Sequence, residues 1–305
     1  MKILTPENWK DYELIDCGNF EKLERFGKYI LIRPESQALW TKKLSDKEWT
    51  NMAHAHYKRE NQQKSYRTND GVNGSWTFYK KVPDFWTINH TINNIQFTFK
   101  ISLTSFGHVG IFPEQAQNWQ FIGNTLKRFN AMPNAGTPTF LNLFAYTGAA
   151  SVVAKAHKAD VTHLDAVKQI VTWAKTNMEL SACDNIRWII DDAITFLKRE
   201  VKRGKKYNGI ILDPPAYGRG PKGEKWILAD SLTELLDLTS KLLIEDKNFL
   251  IINLYSLGFS SLIVDNLISS MFSFTEKEIG EFYLHSTTDY KLPLGVFGRI
   301  INNIT

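Results

Sequence analysis

Strand and helix patterns alternate regularly from residue 139 onward, and this alternation limits the possible fold more than any other feature. Apolar, β-rich segments predict strands at 139–144, 161–165, 186–190, 207–213 and 248–255. The intervening segments carry apolar residues at helical spacing. The sequence therefore predicts a doubly wound, mostly parallel α/β sheet with helices on both faces. Ligands bind such sheets at the carboxyl ends of the strands, so the loops after these strands are predicted to share one edge, called the rim below.

The first part of the chain has a different pattern, with frequent turns between short strands. Breaks at Gly18–Asn19 and Phe26–Gly27 separate predicted strands, and Asn93–Asn94 is a predicted hairpin turn. The polar segment 54–74 is predicted to be loop-rich. We therefore predict a small β-rich domain, a bridging helix with a linker, and the α/β domain, at residues 1–112, 113–138 and 139–305.

Composition excludes several classes of protein. Cys17 and Cys183 are far apart and not at the spacing of metal ligands, so we expect neither a disulfide framework nor a metal site. No apolar stretch approaches the roughly 18 residues that span a bilayer, and the first residues lack a signal-peptide pattern. We therefore expect a cytoplasmic protein without a membrane partner. The net charge of +5 permits an anionic partner such as RNA.

The first rim loop, residues 142–148, contains a single glycine. A dinucleotide-binding turn needs G-x-G-x-x-G so that the backbone can approach a pyrophosphate. Here only Gly148 is present, after Tyr146 and Thr147. A phosphate-free cofactor would explain the missing glycines. The alternative is a tight strand–helix turn in which Thr147 caps the helix.

Acidic residues follow the next two predicted strands. Asp165 stands 17 residues after Gly148 (165 − 148), near the spacing at which such folds place an acid that accepts ribose hydroxyls. Asp165 is equally well placed to cap the following helix. After the third strand, Asp191–Asp192 provides one carboxylate for capping and a second that can accept a hydrogen bond from an adenine amino group.

Asp213 follows the fourth predicted strand and precedes Pro214 and Pro215. Prolines restrict the backbone and donate no hydrogen bond, so this double-proline corner is expected to hold the carboxylate outward. Rigid acceptors at a strand end suit an amino or ring-nitrogen group on a planar ligand, against which Tyr217 can stack. The alternative is a purely structural turn.

Four of these segments together resemble a known family. In this order and spacing they are similar to the class I S-adenosylmethionine-dependent methyltransferases, and more narrowly to the bacterial ribosomal-RNA large-subunit methyltransferases of the cytosine-C5 and guanine-N7 type. The segments are "LNLFAYTG" (141–148), "HLDAV" (163–167), "DDAITFL" (191–197) and "ILDPPAYGRG" (211–220). "GHVGIFPEQAQNW" (107–119) resembles the family's segment that leads into the catalytic domain. The resemblance covers about residues 105–300 and implies a seven-stranded sheet with an antiparallel last strand.

The resemblance also implies roles for the rim residues. S-adenosylmethionine is the implied cofactor, bound by Asn142, Phe144, Tyr146, Thr147, Gly148, Asp165, Asp192 and Ala193. The implied catalytic residues, which would face the target base, are Asp213, Pro214, Pro215 and Tyr217. The domain at 139–305 would then bind the cofactor and carry out catalysis, and the β-rich domain would recognise the substrate.

Two departures from the relatives bear on the reaction. Methylation of cytosine C5 requires a cysteine that first adds to the ring. The position of that cysteine in the relatives reads Tyr255–Ser256 here, and residue 216 is alanine. We therefore reject cytosine-C5 chemistry and predict transfer to a base nitrogen. Ala216 also departs from the amino-methylating D-P-P-[YFW] pattern, so guanine N7 and an exocyclic amine both stay open.

Basic residues after the double-proline corner are predicted to bind RNA phosphates. Arg219, Lys222 and Lys225 lie in a glycine-rich segment that would be able to close over a substrate. The sequence thus predicts a methyltransferase acting on RNA, expected to be ribosomal. Three alternatives stay open: a methyltransferase for a protein or small molecule, a binding protein that keeps the cofactor fold but transfers nothing, and, least supported, a nicotinamide oxidoreductase.

Overall fold

The computed structural model describes residues 1–7, 9–59, 74–255 and 258–304. Residues 60–73 of the segment predicted to be loop-rich, and Ser256, lie outside this range. The first part contains β1 (Lys2–Leu4), β2 (Tyr12–Gly18), β3 (Glu21–Phe26), β4 (Tyr29–Pro34), α1 (Asp46–Met52), β5 (Ala55–Arg59), β6 (Gly74–Phe78), β7 (Trp86–Ile92) and β8 (Ile95–Ile101). A short 3₁₀ turn (Pro113–Gln115) and α2 (Ala116–Ala131) connect it to the second part.

The second part alternates strands and helices as predicted. Its elements are β9 (Thr139–Leu143), α3 (Ala149–Ala156), β10 (Asp160–Asp165), α4 (Lys168–Leu180), β11 (Arg187–Ile190), α5 (Ala193–Lys202), β12 (Gly209–Leu212), β13 (Tyr217–Arg219), β14 (Lys225–Ile227), α6 (Leu228–Leu242), β15 (Asn248–Leu254), α7 (Ser261–Met271), β16 (Glu276–His285) and β17 (Lys291–Asn302). Within the described residues, no helix has the length and apolar character needed to cross a membrane.

The main sheet has eight strands in the order β1-β16-β17-β15-β12-β9-β10-β11. The strand β17 is antiparallel to both of its neighbours, and every other pair is parallel. The doubly wound sheet with an antiparallel last strand is therefore confirmed. The eighth strand, β1, pairs with β16 and was not expected, because three residues carry no periodic signal. The domain boundary at residue 112 stays a proposal.

The two faces of the main sheet pack into separate hydrophobic cores, because successive residues of a strand point to opposite faces of the sheet. Ile210 and Leu212 of β12 pack in the core that contains α5, α6 and α7. Ile211, between them, packs in the core that contains α2, α3 and much of the first part of the chain. The order of strands changes direction beside β9, since β10 and β11 lie on one side of it and β12 and β15 on the other. Such a switch opens a crevice at the carboxyl ends of β9 and β12.

The β-rich part is a five-stranded sheet, β2-β3-β4-β5-β6, beside the hairpin β7–β8. The predicted strand breaks are confirmed, and Asn93 and Asn94 form the hairpin turn with φ angles of 52° and 66°. Two elements were missed. The strand β5 lies inside the segment predicted to be loop-rich, and α1 begins with a capping box between Ser45 and Glu48.

Side chains of α4 and of the residue after it form hydrogen bonds with backbone groups on the open edge of the β7–β8 hairpin. The backbone N–H of Lys100 donates to Asn177 Oδ1 at 2.8 Å, and that of Thr98 donates to Ser181 Oγ at 3.1 Å. Trp173 Nε1 donates in turn to the Lys100 carbonyl at 3.1 Å. These bonds dock the β-rich part onto the α/β part without extending a sheet.

Candidate active site

The double-proline corner holds the Asp213 carboxylate between two amide side chains. Asn253 Nδ2, at the end of β15, donates to Oδ1 at 2.7 Å, and Gln115 Nε2, in the 3₁₀ turn, donates to Oδ2 at 3.3 Å. Burial raises the pKa of Asp213 to about 6, and the hydrogen bond from Asn253 opposes the rise. The carboxylate is therefore mostly ionised at neutral pH, and each oxygen keeps a lone pair for a further donor.

Trp226 braces the corner from β14. Its Nε1 donates to the Pro215 carbonyl at 2.7 Å, and its ring lies 4.8 Å, centroid to centroid, from that of Phe144 in the first rim loop. Pro214 is buried and Pro215 is exposed. Tyr217, which opens β13, is 47% exposed, so its ring is available to a ligand. Asp213 and both prolines thus form one corner, and Tyr217 begins the hairpin that follows it.

The three predicted phosphate-binding residues lie on a hairpin and not on an irregular loop. Strands β13 and β14 pair in antiparallel fashion, with Arg219 directly opposite Lys225. Both side chains and that of Lys222 are exposed. Among the described residues, no carboxylate forms an ion pair with any of the three. Two like charges facing each other across strands are unfavourable unless an anion lies near them.

The first rim loop is tied to its neighbours through the backbone. The N–H of Tyr146 donates to Asp165 Oδ2 at 2.9 Å, and Phe144 and Tyr146 both have positive φ angles, 55° and 50°. Gly148, with φ 83°, is the N-cap of α3, so the alternative in which Thr147 caps this helix is wrong. Thr147 Oγ1 donates instead to the Gly110 carbonyl at 2.6 Å.

Asn142 differs from the other predicted cofactor residues because its side chain is buried between β9 and α3. It is 4% exposed, and its Nδ2 donates to Ser151 Oγ at 2.9 Å. Ser151 Oγ in turn lies 3.0 Å from His163 Nδ1. The side chain of Asn142 therefore supports the packing of α3 on the sheet, below the rim.

The acidic residues of the next two strands have protein partners as well as rim positions. Asp165 Oδ1 accepts from the Val167 N–H at 3.0 Å. Burial raises the pKa of this carboxyl above its ordinary value, and hydrogen bonds from backbone amides only partly oppose the rise. Asp192 Oδ1 caps α5 by accepting from the Thr195 N–H at 2.8 Å, and the buried Ala193 is the first residue of that helix. Asp191 is paired with Arg199.

Four rim residues were missed by sequence reasoning. Ile190 lies opposite Asp165 in the sheet register and is 43% exposed, and Val167 is 46% exposed. In a sequence, an apolar residue near a strand end looks the same whether its side chain is exposed or buried. Gln115 and Asn253 were missed because their partner, Asp213, is distant in sequence. Asn253 could have been found, since it is the one polar residue in the otherwise apolar strand segment "FLIINL".

Glu114 is a further buried acid near the site, next to Gln115 and 5% exposed. Burial, together with the nearby carboxylates of Asp213 and Glu24, raises the pKa of Glu114 to about 7, while Lys22 lowers it. Lys22 lies in β3 of the β-rich part and forms an ion pair with the buried Glu35 at 3.2 Å. Tyr255, which follows β15, donates to Glu35 Oε1 at 2.9 Å. The β-rich part thus contributes charged groups to the rim.

Comparison with known proteins agrees with this geometry. The family model described as "Conserved hypothetical protein 95" matches residues 125–248. A crystal structure of a SAM-dependent methyltransferase from Agrobacterium tumefaciens is 34% identical and has a TM-score of 0.85, with 99% of this chain and 93% of that chain covered. A methyltransferase structure complexed with SAH, SMU.776, shares the fold at 18% identity and a TM-score of 0.69, with 95% of this chain and 75% of that chain covered.

A curated relative is the ribosomal RNA large subunit methyltransferase K of Neisseria meningitidis serogroup B, 27% identical over 179 residues. The match covers 57% of this chain and 47% of that protein, so the chain spans less than half of this relative's length. The identity and coverage shared with the Agrobacterium structure establish the family: the chain belongs to the S-adenosylmethionine-dependent methyltransferases.

The residues at the rim fit S-adenosylmethionine. The Asp165 carboxylate suits a ribose diol, and the exposed Val167 and Ile190 beside it suit the faces of an adenine ring. The hydroxyl of Tyr146 is buried and has no acceptor for its hydrogen among the described residues, so it has a donor to offer a ligand. The single glycine of the first loop fits a cofactor that has no pyrophosphate to accommodate.

Proposed function

We propose that the protein transfers a methyl group from S-adenosylmethionine to a base nitrogen of ribosomal RNA. The observation that carries the proposal is the Asp213 carboxylate, held between Asn253 and Gln115 at the rim with Tyr217 exposed on the adjoining hairpin. An oriented acceptor beside an aromatic ring suits a planar base that presents an N–H group. The curated relative named above acts, by its name, on the same class of RNA.

Cofactor binding is assigned to the first three rim loops. The segment 144–148 would hold the methionine end, Asp165 the ribose hydroxyls, and Asp192 with Ala193 the adenine edge, between Val167 and Ile190. S-adenosylmethionine supplies a methyl group that is already activated on a sulfonium, so the main task of the protein is alignment.

Base recognition is assigned to the double-proline corner. Asp213 would accept a hydrogen bond from the base and thereby orient the nitrogen to be methylated, while Tyr217 stacks on the ring. The target base would have to leave its stack in the RNA to reach Asp213. A nitrogen acceptor needs no cysteine nucleophile. Cys17 is buried in β2, and Cys183 follows α4 and donates to the Val152 carbonyl.

RNA phosphates would bind the β13–β14 hairpin. Facing cations at Arg219 and Lys225, with Lys222 at the turn, are stabilised by an anion between them. The β-rich part would extend the RNA contact, since it already reaches the rim through Lys22 and Glu35. We also propose that the protein acts in the cytoplasm, where such a substrate would be found.

The test is transfer of labelled methyl from S-adenosylmethionine to ribosomal RNA from a strain that lacks this gene, with RNA from the parent strain as the control. We expect label only in the RNA of the deletion strain, and loss of transfer with cofactor binding kept in Asp213→Asn. Absence of label from both RNAs and from intact ribosomal particles, despite tight cofactor binding, would contradict the proposal. A protein or small-molecule acceptor would then be the better candidate.

A further inference from the structure

The Gln115 side chain is the end of a buried chain of hydrogen bonds. Gln115 Oε1 accepts from Asn118 Nδ2 at 2.7 Å, and Asn118 Oδ1 accepts from Arg299 Nε at 2.9 Å. All three side chains are buried, with 6%, 0% and 3% of their surfaces exposed. The chain Arg299–Asn118–Gln115, called the amide relay below, runs from β17 through α2 to the oxygen of Asp213.

The direction of the amide relay follows from its chemistry. A guanidinium donates hydrogen bonds and accepts none, so Asn118 must turn its oxygen toward Arg299 and its NH₂ toward Gln115. Gln115 must then turn its own oxygen toward Asn118 and its NH₂ toward Asp213. Arg299 thus determines that Asp213 receives a donor at Oδ2, although the two residues are not in contact.

Arg299 keeps the charge that this direction requires. Burial lowers the pKa of Arg299 to about 10, and Glu278 opposes the change, so the guanidinium stays protonated at neutral pH. The rings of Phe297 and Phe121 lie 4.6 and 4.9 Å from its central carbon. The aromatic faces stabilise the cation, and Glu278 Oε2, 3.5 Å from Nη1, is a second acceptor for the guanidinium.

We propose that Gln115 is a positioning residue for methyl transfer, and that the amide relay holds Asp213 as an ionised, correctly oriented acceptor for the N–H group of the target base. This inference rests on the proposed function. Removal of the Gln115 donor leaves Asp213 with Asn253 alone, so the charged form loses one of its two amide donors and the carboxylate gains freedom to rotate.

The charged groups near Asp213 are the same in Gln115→Leu as in the parent, so a change in the titration of Asp213 can be assigned to one cause. Among the described residues, the titratable groups linked to this part of the rim are Glu114, on the same turn as Gln115, Lys22 and Glu24 of β3, which act on Glu114, and Tyr12 of β2, whose pKa Glu114 raises. None of these side chains is altered when Gln115 is replaced by leucine. A change in the titration of Asp213 is therefore attributable to the lost donor.

The experiment compares Gln115→Leu with Gln117→Leu. Gln117 is two residues further along, donates to the Thr5 carbonyl at 2.8 Å and has no hydrogen bond to Asp213 among the described residues, so its variant controls for loss of one amide from this segment. The acidic limb of the pH–rate profile is expected near pH 6 in the parent, from the titration of Asp213. We expect Gln115→Leu to move this limb up by about one pH unit, with about tenfold lower kcat/KM below the limb and a smaller loss at alkaline pH. Gln117→Leu should leave the limb in place.

Asn118→Leu tests the relay without a change of charge and is a second route if Gln115→Leu folds poorly. A leucine has no hydrogen to donate to Gln115, so Gln115 is no longer held with its NH₂ toward Asp213, and the limb should move in the same direction as in Gln115→Leu. An unchanged limb in both variants would overturn the proposal.

The titration of Asp213 is also followed directly, by ¹³C NMR of aspartate carboxyls in the protein without substrate, with the signal assigned through Asp213→Asn. A raised pKa of Asp213 in Gln115→Leu supports the relay even if no RNA is methylated, in which case only the proposed function fails. An unchanged pKa of Asp213, together with active enzyme, overturns the relay alone.

Discussion

At the scale of single residues, the rim concentrates buried carboxyl groups whose pKa values are raised. Burial raises the pKa of Asp213 to about 6 and that of Glu114 to about 7. Two acids that resist ionisation this close to each other reduce stability at neutral pH, and such groups are found most often at functional sites. The stability of the protein should therefore depend on the protonation of Glu114.

Glu114→Gln should stabilise the protein more at high pH than at low pH. The folded protein holds the Glu114 proton up to about pH 7, whereas the unfolded chain releases it near 4.5, so this group lowers the free energy of unfolding as pH rises between these values. The shift corresponds to at most about 3 kcal/mol. Urea unfolding of parent and variant near pH 5 and near pH 8 measures the difference.

The exposed Glu179 on α4 provides the control, since Glu179→Gln should show no comparable change between the two pH values. An equal effect of Glu114→Gln at both pH values would show that its carboxyl is ionised across the range, contrary to the expectation.

At the scale of elements, the turn from β9 into α3 depends on a glycine for two reasons. Gly148 has φ 83°, and a Cβ built on it would lie 2.9 Å from the Ala174 Cβ of α4. The first reason concerns the backbone alone, while the second concerns the packing of α3 against α4. The close packing keeps the first rim loop at a defined height above the sheet.

Gly148→Ala should cost more stability than Gly136→Ala. Gly136 also has a positive φ, 68°, but a Cβ there meets nothing within 4 Å, so its substitution isolates the backbone cost of about 1 kcal/mol. Gly148→Ala adds overpacking, for a total of about 2–4 kcal/mol. Urea unfolding curves of the two variants give the comparison. Equal costs would mean that α4 moves aside without penalty.

At the scale of the whole molecule, one hydrophobic core joins the two parts of the chain. It contains Ile88 and Phe97 of the β7–β8 hairpin, Ile122 of α2, and Val153 and Phe249 of the α/β part. The bonds from α4 to β8 and the pairing of β1 with β16 cross the same boundary. Because one core spans both parts, we expect them to unfold together.

A single cooperative transition is therefore expected in urea, with the same midpoint by far-ultraviolet circular dichroism and tryptophan fluorescence. Phe97→Ala, in the hairpin, should cost about 3–5 kcal/mol and lower the midpoint seen by both probes equally. Two separate transitions, or a shift seen by one probe only, would show that the β-rich part folds as an independent domain.

The sequence by itself determined the alternating strands and helices of the α/β part and the polar residues at the ends of its strands. Alternating periods predicted the parallel sheet, Asn93–Asn94 predicted the hairpin, and the rim position of Asp213 followed from β12 and its two prolines. The capping box of Ser45 and Glu48 was also readable and was missed. These features depend on residues within one turn or one strand of each other, where spacing alone specifies geometry.

Only the tertiary structure decided which distant side chains meet at the rim. Gln115 is 98 residues from Asp213 and Arg299 is 181 residues from Asn118, yet they form one line of hydrogen bonds. Their pairing depends on how α2, β12 and β17 pack. Local periodicity carries no information on packing between distant elements, because it depends on the complementary shapes of surfaces that exist only after those elements have formed.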